Sequence, residues 1–211
     1  MLRAGEAPRW LGRPWASARQ RHALLAAFVI VAGVGSPALA SPTAAVNPTI
    51  GSALVPSAAF LQVGRAHEAD MLILGATWDW AWQRDTPLGR IGGYSEASIG
   101  RWRSEVGEDG ASDWVTQWGV TPVLRLHPLS GGGRWFVEIG IGANLLVPVY
   151  STSSKRFSTT FNFGDHLAVG RQFGERGRHE LALRFQHFSN AGIKSPNPGE
   201  DFLQLRYIRR F

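Results

Sequence analysis

Near the end of the chain, His187 and Ser189 stand two positions apart. On a β-strand that spacing puts both side chains on one face. An imidazole beside a hydroxyl can take its proton and make it a nucleophile. Upstream residues of the same parity, Leu181, Leu183 and Phe185, are all apolar. The pair therefore sits at the end of an apolar face. From spacing alone two readings stand open: a serine nucleophile with its base, or an interfacial histidine bonded to a serine.

The elements that carry this pair read as strands. Candidate segments are 57–66, 70–83, 92–103, 114–126, 134–147, 161–173, 179–189 and 201–211. They number about eight, each near the ~9–11 residues that a tilted strand needs to cross a bilayer. Trp135, Val137, Ile139 and Ile141 alternate with Glu138, Gly140 and Gly142, and Leu72, Leu74, Ala76, Trp78, Trp80 and Trp82 share one face of the second segment. A soluble sandwich alternates too. Three features favour a membrane barrel. The polar face is rich in glycine, which suits a narrow interior. Trp78, Trp80, Trp82, Trp114, Trp118 and Trp135 lie near segment ends, as an interfacial girdle requires. Phe211 closes the chain on the apolar face of the last segment. The expected fold is all-β, an eight-stranded antiparallel transmembrane β-barrel, because closure satisfies every backbone group in lipid.

The segments divide the chain into residues 1–40 as a cleaved signal peptide, 41–55 as an irregular lead-in and 56–211 as the barrel. The leader has a basic start, an apolar run from Ala23 to Gly33 too short to span as a stable helix, and Ala38-Leu39-Ala40 as a processing site. Its removal takes away five arginines and one glutamate, so the net charge falls from +6 to +2. The basic character owes much to the leader, and nucleic acid is not an expected partner. The chain has no cysteine, which excludes disulfides and thiol chemistry. An even strand number places the short turns near 86–90, 128–133 and 174–178 in the periplasm. The longer segments 104–113, 148–160 and 190–200 then lie outside.

Other titratable residues carry weaker signals. His67, His127, His166 and His179 lack metal-ligand spacing, and neither a metal nor a cofactor is expected. Glu138, Arg184, Gln186, Gln204, Arg206 and Arg210 have interior parity and are expected to plug the barrel with hydrogen bonds and ion pairs.

The run from His187 to Asp201 resembles the active-site motif of the lipid A 3-O-deacylase (PagL) family. The shared features are His-aromatic-Ser-Asn-Ala-Gly-aliphatic-Lys, then Pro-Asn-x-Gly and an acid. The resemblance is sharp over 184–211 and one of pattern elsewhere. It implies an outer-membrane enzyme of Gram-negative cells, with lipopolysaccharide as substrate among outer-membrane lipids. The reaction is hydrolysis of the ester-linked 3-hydroxyacyl chain at position 3 of lipid A. It casts Ser189 as nucleophile and His187 as general base. Asn190, with the N–H groups of Ala191 and Gly192, resembles an oxyanion hole. The ungapped count puts the third member at Asp201, with Glu200 as the alternative acid. Lys194 and Arg209 are candidate contacts for lipid A phosphates. A non-enzymatic structural or adhesive barrel and an outer-membrane phospholipase using the same nucleophile are the rival readings; calcium ligands would favour the latter, and no clustered carboxylates resemble such a site.

Overall fold

Strict alternation of inward and outward side chains organises the chain. In a computed structural model, which describes residues 55–106, 112–130 and 132–211, the strands are β1 (Ala58–Arg65), β2 (Ala69–Asp79), β3 (Arg84–Thr86), β4 (Gly89–Glu105), β5 (Ser112–Pro128), β6 (Trp135–Val147), β7 (Phe161–Phe173), β8 (His179–Ser189) and β9 (Glu200–Arg210). The signal peptide and all but Val55 of the lead-in lie outside the described residues. Each strand pairs antiparallel with its neighbours, β1 joins β9, and β2 joins β4. Eight strands thus close on themselves, as expected. The three-residue β3 pairs only with the first residues of β4.

That short strand corrects one expected boundary. Residues 70–83 do not form one strand. β2 ends at Asp79, and the chain then turns back so that Arg84 and Thr86 pair with Ile91 and Gly89. Tight turns gather at one end of the barrel, here the turn end. The β1–β2 hairpin and the segments 148–160 and 190–199 gather at the other, the loop end.

Outward residues are apolar. Leu72, Leu74, Ile99, Val120, Ile139, Ile141, Leu167, Leu183, Phe185, Leu203 and Leu205 all face away from the barrel and are exposed. So much exposed hydrocarbon on one sheet face is the surface of a protein whose solvent is lipid. Trp114 lies at the loop end, and Trp82 and Trp135 at the turn end, so aromatics flank the apolar wall.

The interior has two layers, and the expected polar plug describes only one of them. Midway and toward the turn end, Glu96, Glu138 and Glu180 meet Arg125, Arg184 and Arg206, all buried. Arg125 bridges Glu138 at 2.6 Å and Glu180 at 2.8 Å, while Glu96 takes Arg206 at 2.7 Å and Arg184 at 3.2 Å. Above them Gln62, Gln204 and Gln186 form a chain of amide hydrogen bonds. Toward the loop end the interior is aromatic. The Trp102 ring packs edge-on against Phe188 and Phe202 at 4.7 Å and against Tyr150 at 5.3 Å. This apolar cap corrects the expectation of a polar filling throughout. Strand parity shows that Phe188 and Phe202 point inward, but not that they meet Trp102 from another strand.

Candidate active site on the outer wall

The inward aromatics fix the site's register. Phe188 and Phe202 are fully buried, so the residues between them in the pleat, His187, Ser189 and Asp201, must face outward. A one-residue slip would turn both rings into lipid and the polar residues into the core. Strand β8 pairs with β9 so that His187 stands directly opposite Asp201.

The two side chains meet. His187 Nδ1 lies 2.7 Å from Asp201 Oδ1, and both side chains are substantially exposed. With a carboxylate as acceptor, Nδ1 carries the proton and Nε2 is left as the basic nitrogen. Gly199 lies against the other side of the ring. A Cβ there would sit 2.6 Å from His187 Cε1, and its φ of 71° is a left-handed conformation that glycine adopts without strain. Ser189 follows on the same outward face, half-buried, opposite Phe163 of β7. Among the described residues its hydroxyl is in no hydrogen bond.

Glu200, the alternative acid, faces the other way. It is buried, with Oε2 accepting from the Tyr150 hydroxyl at 2.8 Å and Oε1 from Lys155 Nζ at 3.0 Å. Burial, with Glu200 beside it, pushes the Tyr150 phenol well above its ordinary range, so it remains a neutral donor. Parity separates the two adjacent acids, Asp201 outward with His187 and Glu200 inward. Asp201 reaches the imidazole, and Glu200 anchors the start of β9 to the 148–160 loop.

Asn190 is placed differently from the expectation that its amide is a free oxyanion donor. It is buried, and its Nδ2 donates to Lys194 O at 2.7 Å and to Ser158 Oγ at 3.0 Å. Its Oδ1 accepts the Gly192 N–H at 2.9 Å, and its own N–H goes to Asn197 Oδ1 at 3.0 Å. Both amide donors and the Gly192 N–H are thus used inside the loop. Ala191, at φ 53°, follows in a left-handed conformation, and its N–H has no partner among the described residues. Ser158 Oγ also donates to Lys194 O at 2.8 Å, so the 148–160 loop holds the turn after Ser189 as well as β9.

Lys194 is exposed in the loop beside the site. Arg209 is not near it. It pairs with Ala59 and His179 at the turn end, where its Nη1 lies 3.2 Å from His179 Nε2. Of the two candidate phosphate contacts, only Lys194 lies beside the site; the length of β9 separates Arg209 from Asp201. A cavity of about 570 Å³ also opens at the turn end, between Asp79, Arg90, Arg125, His127 and Arg210, remote from His187. Among the described residues no group of three or more metal-ligating side chains converges.

Sequence reading missed Asp165, Tyr150, Lys155 and Ser158, and took Asn197 and Gly199 only as part of the motif. Asp165 left a readable signal, a carboxylate in the apolar parity of β7. The others act through contacts between loops, which no periodicity records.

A closed eight-stranded transmembrane barrel with a histidine–carboxylate pair and a serine on its lipid-facing wall defines a class: a membrane β-barrel with the makings of a hydrolase site outside the barrel. The model of the family described as lipid A 3-O-deacylase (PagL) matches residues 70–210. A lipid A deacylase PagL of Bordetella bronchiseptica is 32% identical over 179 residues, covering 85% of this chain and 94% of its own length. The Pseudomonas aeruginosa lipid A deacylase PagL is 31% identical over 140 residues, 64% of this chain and 74% of its own. A crystal structure of the outer membrane enzyme PagL superposes with a TM-score of 0.61 at 26% identity, covering 73% of this chain and 99% of that one. The chain belongs to the lipid A 3-O-deacylase (PagL) family.

Proposed function

We propose that this protein is an outer-membrane lipid A 3-O-deacylase that hydrolyses the ester-linked 3-hydroxyacyl chain at position 3 of lipid A in lipopolysaccharide. The observation that carries this is the 2.7 Å contact between His187 and Asp201, outward on the lipid-facing wall beside Ser189. A substrate anchored in a leaflet reaches such a site laterally, without leaving the membrane.

In the proposed mechanism Ser189 Oγ attacks the ester carbonyl as His187 Nε2 takes its proton. Asp201 holds the ring and stabilises the imidazolium formed. The charge on the tetrahedral oxygen falls to the Ala191 N–H, which the Asn190 clamp holds in place; Asn190 is on this reading a positioning residue. His187 then protonates the leaving sugar hydroxyl, and water releases the acyl group from Ser189 by the same steps in reverse order. Lys194 is a contact for a lipid A phosphate.

The test is the mass spectrum of lipid A from cells with the protein, without it, and with Ser189→Ala. Loss of one 3-hydroxyacyl chain only with the unmodified protein is the expected result. Unchanged lipid A, with fatty acid released from glycerophospholipid instead, overturns the substrate assignment.

A further inference from the structure

The turn end of the outward wall carries a second polar cluster, remote from His187. The outward residues of β8 and β9 there are His179, Tyr207 and Arg209. Tyr207 Oη lies 2.6 Å from His179 Nδ1, and Arg209 Nη1 lies 3.2 Å from His179 Nε2. Only one placement of protons satisfies both contacts. A guanidinium can only donate, so Nε2 accepts and carries no proton. Nδ1 then bears the ring proton and donates it to the Tyr207 oxygen. The phenol hydrogen is left over, and it finds no acceptor among the described residues. Arg209 is in no ion pair among the described residues, and its other N–H groups have no partner there. Phe173 stacks on the imidazole, with ring centroids 5.5 Å apart. His179 thus holds a hydroxyl and a guanidinium on one face with their donors uncommitted.

Depth and charge indicate what those donors meet. Tyr207 is level with Leu181, Arg171 and Trp135 on successive strands, and Phe173 is level with His179 and Arg209. Trp135 and Phe173 belong to the aromatic band where hydrocarbon gives way to headgroups, so the cluster lies at the level of lipid phosphates. Arg176 and Arg178, in the turn from β7 to β8, are exposed beside it, and Glu175 is the acid of that turn. Neither these two arginines nor Arg171 is in an ion pair among the described residues. The outward faces of β7, β8, β9 and β1 carry no acid in their turn-end halves. On the β1 side Arg209 is followed by Ala59 and Ala76, side chains too small to cover it.

A guanidinium matches two oxygens of a phosphate, and a phenol donates to a third. We propose that Tyr207 and Arg209, held by His179, bind the phosphodiester of an anionic phospholipid in the leaflet opposite to the one that holds lipid A. The choice of leaflet rests on the deacylase reading, which puts the His187 end in the lipid A leaflet. The surrounding arginines raise the local positive potential, and so favour a lipid with net negative charge over a zwitterionic one.

The experiment titrates the full-length protein, carrying Ser189→Ala so that no substrate is consumed, in detergent with phosphatidylglycerol, phosphatidylcholine or lipid A. Native mass spectrometry counts the bound lipid, and heat-modifiable migration on gels confirms folding. The protein is expected to retain phosphatidylglycerol over phosphatidylcholine by roughly fivefold. Arg209→Gln should weaken phosphatidylglycerol binding by about 10-fold. Tyr207→Phe, which keeps the ring and loses the hydroxyl, should weaken it by a smaller factor, and decides alone if Arg209→Gln does not fold. Arg101→Gln, which removes an exposed arginine from the loop-end half of β4, should change nothing. Unaltered phosphatidylglycerol binding in the folded Arg209 and Tyr207 variants overturns the inference, as does equal retention of the two phospholipids by the parent. Displacement of phosphatidylglycerol by lipid A assigns the site to the other leaflet's lipid and overturns it too. Binding is read without turnover, so failure of this inference leaves the deacylase reading intact, and a failed deacylase assay leaves the binding result standing.

Discussion

The barrel holds two sets of charged residues, and their surroundings differ in every respect. Inside, Glu96, Glu138 and Glu180 face Arg125, Arg184 and Arg206, buried and bridged to one another. Outside, His187 and Asp201 form one exposed pair, with Ser189 and Asp165 free of hydrogen bonds beside them. The inner set is matched, three acids to three bases, and is closed off beneath the aromatic cap of Trp102, Phe188 and Phe202. Its charges are paired with one another, as buried charges must be, although Arg184 Nε and Arg206 Nε and Nη2 find no hydrogen-bond partner among the described residues. The outer set has unspent hydrogen-bonding capacity and open access from lipid. Charge density therefore does not single out the candidate site in this fold; polar groups on the outward, apolar face do.

The comparison breaks first at the outer set. Ser189→Ala and His187→Ala should each cut lipid A deacylation by on the order of 10³-fold or more, by analogy with other triads. Folding should survive, because β8 pairs through its backbone. Heat-modifiable migration checks the fold and lipid A mass spectra check activity; near-normal deacylation by a folded variant would remove the chemistry from this wall.

Asp201 and Glu200 sharpen the contrast within one dipeptide. Asp201→Asn keeps the shape but loses the acceptor that fixes the imidazole, and a loss of roughly 10²- to 10⁴-fold in kcat is expected. Glu200→Gln should cost much less, its effect arising through Tyr150 and Lys155. Side-by-side initial rates decide; a dead Glu200→Gln beside an active Asp201→Asn reverses the assignment.

Asn190→Ala removes the clamp on the turn after Ser189. Turnover should fall by about 10- to 100-fold, less than loss of a direct oxyanion donor, with KM little changed. Ser158→Ala removes one of the same contacts and should act in the same direction more weakly. A raised KM at constant kcat in Asn190→Ala would show that the turn binds substrate instead.

The inner set should give the smallest effect on activity and the largest on stability. Arg184→Met leaves Glu96 with one partner fewer. Breaking a buried pair from one side costs about 3–5 kcal/mol, read as a lower urea midpoint for the unfolding of the barrel in detergent. Activity per folded molecule should be close to that of the parent. A lost activity at full folding would couple the interior to the site.

Much of this was legible from one rule, period two. It placed His187, Ser189 and Asp201 on the face of Leu183 and Leu203, and Glu138, Arg184 and Arg206 on the other, because successive side chains in a strand alternate whatever the strand pairs with. It was misled at Gln83, since alternation continues through an extended segment that has left the barrel. It gave the interior as polar because it reads one strand at a time, whereas the cap forms where Trp102 of β4, Phe188 of β8 and Phe202 of β9 converge.

The sequence by itself determined the barrel, the outward face of the candidate site and the His187–Ser189 spacing, all of which are local properties of a pleated chain. The tertiary structure set Asp201 rather than Glu200 against His187, spent the Asn190 amide inside its loop, sent Arg209 to the far end and set Asp165 opposite His187. Each of these depends on which residue of one strand or loop meets which residue of another. That register is fixed by packing aromatic rings from distant strands into one core, a constraint that no window of the sequence contains.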